Sequence, residues 1–163
     1  VPTYGKIYKL IDFGRAIYKF NGQTMCSDSF HQKGDAASQY NCEPYFDKNK
    51  PRLEPNKSFD LCRLACCLFD NFVDDVSDTK KLVKKNKIVS LLYDWLLDDK
   101  ERNILYKNNG DERYPEFKLY KMIARTVHNA IPCDQISKDI FSKYKTVRKK
   151  INKNKCKSSF KYY

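Results

Sequence analysis

Lys9-Leu10-Ile11-Asp12-Phe13-Gly14 is the stretch on which the reading of the chain turns. An apolar, β-branched run that stops at glycine predicts a buried strand over residues 7–11, with Asp12 at its exposed end. A carboxylate in that position can hold a metal ion. Asp before an apolar residue and Gly is also ordinary β-turn chemistry. The residues downstream decide between the two.

Directly after the turn, Asn21-Gly22 separates two short runs with apolar or β-branched members, the strongest short hairpin signal. From Cys26 to Arg52 no helical or strand period survives, and so long an irregular stretch in a compact domain is usually functional or mobile. Order returns at Asn56 or Ser58, either of which can cap a helix reaching about residue 73. Leu61, Leu64, Ala65, Leu68, Phe69, Phe72 and Val73 recur at spacings of three and four, and Cys62, Cys66 and Cys67 fill the other sides. This predicts a helix in the middle of the core, with Asp60 in its first turn, where a carboxylate favours the dipole.

Asp70, Asp74, Asp75 and Asp78 form an acidic exit without the spacing of a calcium loop. Residues 79–86 read as a lysine-rich connector. Ile88, Leu91, Leu92, Trp95 and Leu96 give the next amphipathic helix, ending near Asp98. Pro115 suits the first position of a helix lined by Phe117, Tyr120, Ile123, Ala124 and Val127. His128 falls at its end, where dipole and carbonyl contacts explain a His better than catalysis does. Pro132 breaks the chain before a last helix through Ile136, Ile140, Phe141, Tyr144 and Val147. The fold class expected is mainly α, α+β overall.

The 163 residues suffice for one core. Apolar runs are interrupted within about ten residues, short of the ~20 that cross a bilayer, so no membrane span is expected. The chain begins Val1-Pro2 without a basic and apolar leader, which reads as a fragment or a trimmed chain. Seven cysteines, an odd number, point to a reducing, intracellular compartment. Cys26, His31 and Cys42 match no zinc spacing. The net charge of +12 is concentrated in residues 143–163, which hold nine basic and no acidic groups, leaving 23 basic against 20 acidic in residues 1–142. The body is nearly balanced, and the tail is a separate basic segment.

Strand, acidic turn, hairpin, long loop and acid-bearing helix, in that order, resemble the C-terminal lobe of the protein kinase family. Ile11-Asp12-Phe13-Gly14 matches the family's Asp-Phe-Gly motif. Ser58-Phe59-Asp60-Leu61-Cys62-Arg63-Leu64-Ala65 is similar to its central-helix motif, with Cys62, Arg63 and Ala65 where the family has Trp, Ser and Gly. Ser38-Gln39-Tyr40-Asn41-Cys42-Glu43-Pro44 looks like the end of an activation segment, although Glu43 and Pro44 stand in reverse order. The general style of the chain also looks like kinase-like proteins of large DNA viruses, which implies an intracellular, cytoplasmic setting, that of the host cell.

The resemblance implies an incomplete kinase-like lobe over residues 1–142, with an activation segment at about 12–55 and a buried central helix at about 58–73. It implies a serine/threonine-type kinase that moves the ATP γ-phosphate to protein hydroxyls. Asp12 would be the Mg²⁺ ligand, Gly14 would let the backbone turn, Phe13 would dock in the core, and Asp60 would anchor the catalytic-loop backbone. That loop, the strand Lys and the Gly-rich loop lie N-terminal to Asp-Phe-Gly in the family, so the chain alone would be inactive. Thr24, Ser27, Ser29, Ser38 and Tyr40 would be activation-segment hydroxyls, with Arg15 a phosphate partner. Ser38 and Tyr40 would also shape the surface that receives the substrate. Glu43 or Glu54 would pair with Arg125 or Arg148. The implied partners are ATP, a protein substrate and the missing N-terminal lobe. The competing expectations are a non-catalytic scaffold and a basic module binding nucleic acid or anionic membrane through residues 143–163.

Overall fold

Asn21 and Gly22 both adopt left-handed backbone (φ 49° and 80°), the conformation a two-residue hairpin turn of this hand requires. They join β1 (Ile17–Phe20) to β2 (Gln23–Cys26), antiparallel, with Phe20 opposite Gln23 and Ile17 opposite Cys26. The structure, a computed structural model, describes residue 9 and residues 11–144. Most of the strand expected over residues 7–11, the tail from residue 145, Val147 and Arg148 lie outside the described residues. Ile11 itself is 80% exposed and lies in no strand, which departs from the buried strand end expected there.

After a 3-10 turn at Asp28–Phe30, the chain stays irregular to residue 58, as its lost periodicity predicts. The helical part follows: α1 (Phe59–Leu68), α2 (Thr79–Lys85), α3 (Lys87–Trp95), α4 (Phe117–Thr126) and the short α5 (Pro132–Gln135). The described chain is thus mixed α and β, with helices around one small hairpin. Among the described residues no helix is long and apolar enough to cross a membrane.

The core lies where α1, α3 and α4 meet. Cys62 and Ala65 from the first, Val89 and Leu92 from the second and Ile123 from the third, with Phe69, Leu96 and Val127 just past their ends, are nearly or fully buried. Each large side chain so enclosed contributes about 1.5–3 kcal/mol of burial free energy. Trp95 Nε1 donates to Gln135 Oε1 at 2.8 Å inside the core, fixing α5 against α3.

Several expectations are corrected. The first helix is not surrounded by core: Leu64 and Leu68 are 45% and 38% exposed, so only one face packs and the helix ends at Leu68. Ser58 holds the N-cap position, but neither Ser58 nor Asn56 makes a side-chain capping bond to the helix. Ser58 has helical backbone and accepts from Ala130 N at 3.1 Å, while Asn56 Nδ2 donates to the carbonyls of Ile123 and Ala124 in the last turn of α4. The lysine connector is a helix, α2, held by partly buried Leu82 and Val83. Pro115 precedes α4 by two residues, and Pro132 starts a helix rather than only breaking one. In place of a last amphipathic helix there is a 3-10 stretch, Asp139–Tyr144, and Ile136 is 67% exposed.

Candidate functional site

The turn at residues 12–16 is closed by Ala16 N donating to Phe13 O at 2.9 Å. Its left-handed residue is Asp12 (φ 63°), not Gly14 as expected. Asp tolerates this region better than most residues because its short carboxylate can bond locally. A Cβ on Gly14 would lie 3.4 Å from Asp12 Oδ1, so the carboxylate overhangs the glycine. Strained backbone of this kind concentrates at functional sites.

Asp12 opens into a cleft of about 700 Å³ between the turn, the loop at residues 39–40 and the start of α1. Asp60 lines the same cleft, with Arg15, Tyr40 and Asn56. The sequence therefore placed two acids, one at a turn and one in a helix, that the fold brings to one surface. Both are exposed. Among the described residues no hydrogen bond reaches the Asp60 carboxylate, so the buried anchor expected of it is not formed within them. Phe13 is 66% exposed rather than docked in the core, because no described element packs over it. Arg15 pairs with Asp35 at 2.7 Å and is not a free phosphate partner.

The donor set of the cleft fits Mg²⁺, a hard cation that takes one or two carboxylates and completes its shell with water and phosphate oxygens. Asp12 is the carboxylate presented from the turn, and Asp60 the second acid in reach of the same space. Among the described residues no group of three or more His, Cys, Asp and Glu converges as a metal site, and Cys26, His31 and Cys42 do not form one. His31 instead packs edge-on against Tyr45.

An aromatic row runs along the cleft, which Phe30, Tyr40, Phe59 and Tyr120 line. Phe30–Tyr40, Tyr40–Phe59, Phe59–Tyr120 and Phe117–Tyr120 stand 5.7, 6.3, 6.2 and 5.4 Å apart between ring centres, distances at which ring pairs attract. Arg63 sits 4.3 Å over the Tyr120 ring and donates to its hydroxyl at 3.0 Å, tying α1 to α4. Burial in this row pushes the Tyr40 phenol up to about 12.

The five activation-segment hydroxyls separate, Thr24 lying in β2. Ser27 caps the 3-10 turn, accepting from Ser29 N at 3.2 Å. Ser29 Oγ is buried and without a partner, which leaves it poorly placed as a phosphate acceptor. Tyr40 is half-buried. Ser38 is exposed, and its carbonyl accepts from Arg125 Nη2 at 3.1 Å.

A second cleft, of about 770 Å³, lies on the other side of Phe30 and Tyr40, which line both. Its wall is a loop that Asn41 staples shut. The Asn41 backbone exchanges hydrogen bonds with Leu53 at 2.9 and 3.1 Å, and Nδ2 donates to the carbonyls of Asp47, Lys50 and Pro51. Arg52 takes both glutamates for which Arg125 or Arg148 was expected: Glu43 through two bonds at 2.7 and 2.8 Å, and Glu54 at 2.7 Å. The same guanidinium holds the Glu43 carboxyl down to about 2. Neither the staple nor this pair was visible in sequence, because Asn41 and Arg52 have no spacing that distinguishes them from loop polars.

His128 is not in either cleft. Its ring Nδ1 lies 2.8 Å from Asp99 Oδ2, an exposed contact at the end of α4. Compared with protein-family models, curated proteins and solved structures, the chain matches none.

Proposed function

We propose that residues 1–142 belong to the C-terminal lobe of a serine/threonine-type protein kinase and that Asp12 is its Mg²⁺ ligand. The observation that carries the reading is the shared cleft: the acid of the Asp-Phe-Gly turn and the acid of the first turn of α1 face one space. Asp12 would hold Mg²⁺ there, and the chemistry the ion would supply is neutralisation of phosphate charge. Asp12 would orient the metal. The exposed Asp60 and Phe13 are surfaces that a catalytic loop and a further lobe would cover. Asp60 would then accept backbone N–H groups, bonds that need no proton transfer.

A non-catalytic kinase-like scaffold is the second reading. It is favoured by the exposure of Phe13, which leaves the turn without a packed register. Calorimetric titration of ATP into the polypeptide bearing its native upstream sequence separates the two from unrelated folds. Mg²⁺-dependent binding that Asp12→Asn removes supports the reading. Binding that is absent, or indifferent to both Mg²⁺ and Asp12, refutes it.

A further inference from the structure

We infer that the second cleft docks a short acidic stretch of polypeptide and that Arg125 reads its carboxylate. This goes beyond phosphoryl transfer and does not depend on it. At about 770 Å³ the cleft lies in the range of functional ligand sites, and Phe30, Tyr40, Pro51 and Leu53 give it an apolar lining. Its wall is organised in advance, since Asn41 closes the loop and Arg52 is fixed by two glutamates and by stacking 4.3 Å over Phe46. A ligand would find the loop already ordered, which removes a large part of the usual entropy cost.

The charges at the rim are not equivalent. Lys50 is paired with Asp47 at 3.1 Å, and Arg52 with Glu43 and Glu54. Arg125 makes one hydrogen bond, to the neutral carbonyl of Ser38, and among the described residues no carboxylate lies in ion-pair range of it. A guanidinium has five N–H donors in a fork that matches a carboxylate in two-point contact. The unmet charge complement of the cleft is therefore a single carboxylate beside apolar surface. Nucleic acid fits this poorly, because its backbone calls for a row of cations. Glu or Asp next to an apolar residue fits both features at once.

The test uses the full 163-residue chain and three fluorescein-labelled peptides with Leu-Glu-Glu, Leu-Gln-Gln and Leu-Lys-Lys cores, read by anisotropy at physiological salt. Arg125 is exposed, so Arg125→Gln keeps the fold, which circular dichroism checks. The basic residues 143–163 are present in every arm, so their general attraction for acid cancels between wild type and variant. The Glu peptide is expected to bind about two- to fivefold tighter than the Gln peptide, the effect of one exposed ion pair. Arg125→Gln is expected to shrink that difference to the part the tail contributes. Equal binding of the Glu and Gln peptides to the wild type overturns the proposal, as does a preference that is the same size in Arg125→Gln. Equal displacement of the Glu peptide from both proteins by a single-stranded oligonucleotide assigns the signal to the tail and overturns it as well.

Discussion

Asp12 and Asp60 face one cleft, although one belongs to a tight turn beside the hairpin and the other to the first turn of α1. The cleft is open above both acids, and this openness sets what each substitution should do in the chain alone.

Asp60→Asn should change the stability of the 163-residue chain by less than about 1 kcal/mol. The carboxylate is exposed and contributes only an interaction with the helix N-terminus. Urea denaturation measures this. A loss of roughly 3 kcal/mol or more would mean that Asp60 is a buried, bonded group already.

Glu43 gives a pH prediction. Arg52 holds its carboxyl at about 2, below the ordinary glutamate value of about 4.3. The folded value is depressed, so the stabilisation is complete above the unfolded value and is lost as pH falls from there through about 2. Carboxyl carbon resonances followed by NMR should show Glu43 titrating near 2 in the wild type. In Arg52→Gln it should return toward 4.3. An unchanged midpoint would remove the ion pair from the account.

Gly34→Ala should destabilise by about 1–3 kcal/mol, an overpacking cost. A Cβ there would stand 2.3 Å from Ser29 O and 2.8 Å from Asp28 O, backbone atoms that cannot swing aside. Ala36 N donates to that same Ser29 carbonyl at 2.9 Å, so the shift would loosen the segment carrying Phe30. Thermal and urea midpoints that match the wild type would contradict the packing described.

Asp98 anchors the turn after α3. Its side chain is 1% exposed and accepts from Lys100 N and Arg102 N, both at 2.9 Å, and from Arg102 Nε and Nη2 at 3.0 and 2.7 Å. Burial pushes the carboxyl up, but the Arg102 guanidinium and the two backbone donors outweigh it and hold the group below its ordinary value. Its contribution is present above the unfolded value near 3.9 and disappears as pH falls through the lower folded one. Asp98→Asn should cost roughly 2–4 kcal/mol at neutral pH, since charge-assisted bonds are weakened in a buried place. Its acid denaturation curve should also flatten relative to the wild type.

Local chemistry explains which parts were legible in sequence. Asn21-Gly22 dictates a hairpin because few other residues take its backbone angles, and the three- and four-residue spacing around Leu92 and Trp95 dictates α3. The lysines at 80, 81, 84 and 85 hid α2, since only Leu82 and Val83 mark its packed face. Cysteines misled in α1: Cys62 and Cys66 are buried as small apolar groups, while Cys67 points to solvent, so composition alone overstated the core face. At the site, Asp12 and Asp60 could be singled out as acids at the ends of elements. Their common cleft, and the Arg52 and Asn41 contacts that shape its neighbour, arise from tertiary folding that no local spacing encodes.

Transfer of radiolabelled γ-phosphate from ATP to a protein hydroxyl tests the central claim most directly. It compares the polypeptide bearing its native upstream sequence with its Asp12→Asn variant. If Asp12 positions the metal, the wild type transfers phosphate and the variant falls by at least about 100-fold, the scale on which an electrostatic group acts at a developing charge. Transfer that persists undiminished in Asp12→Asn, or a wild type that holds Mg²⁺-ATP and never turns it over, would contradict the account.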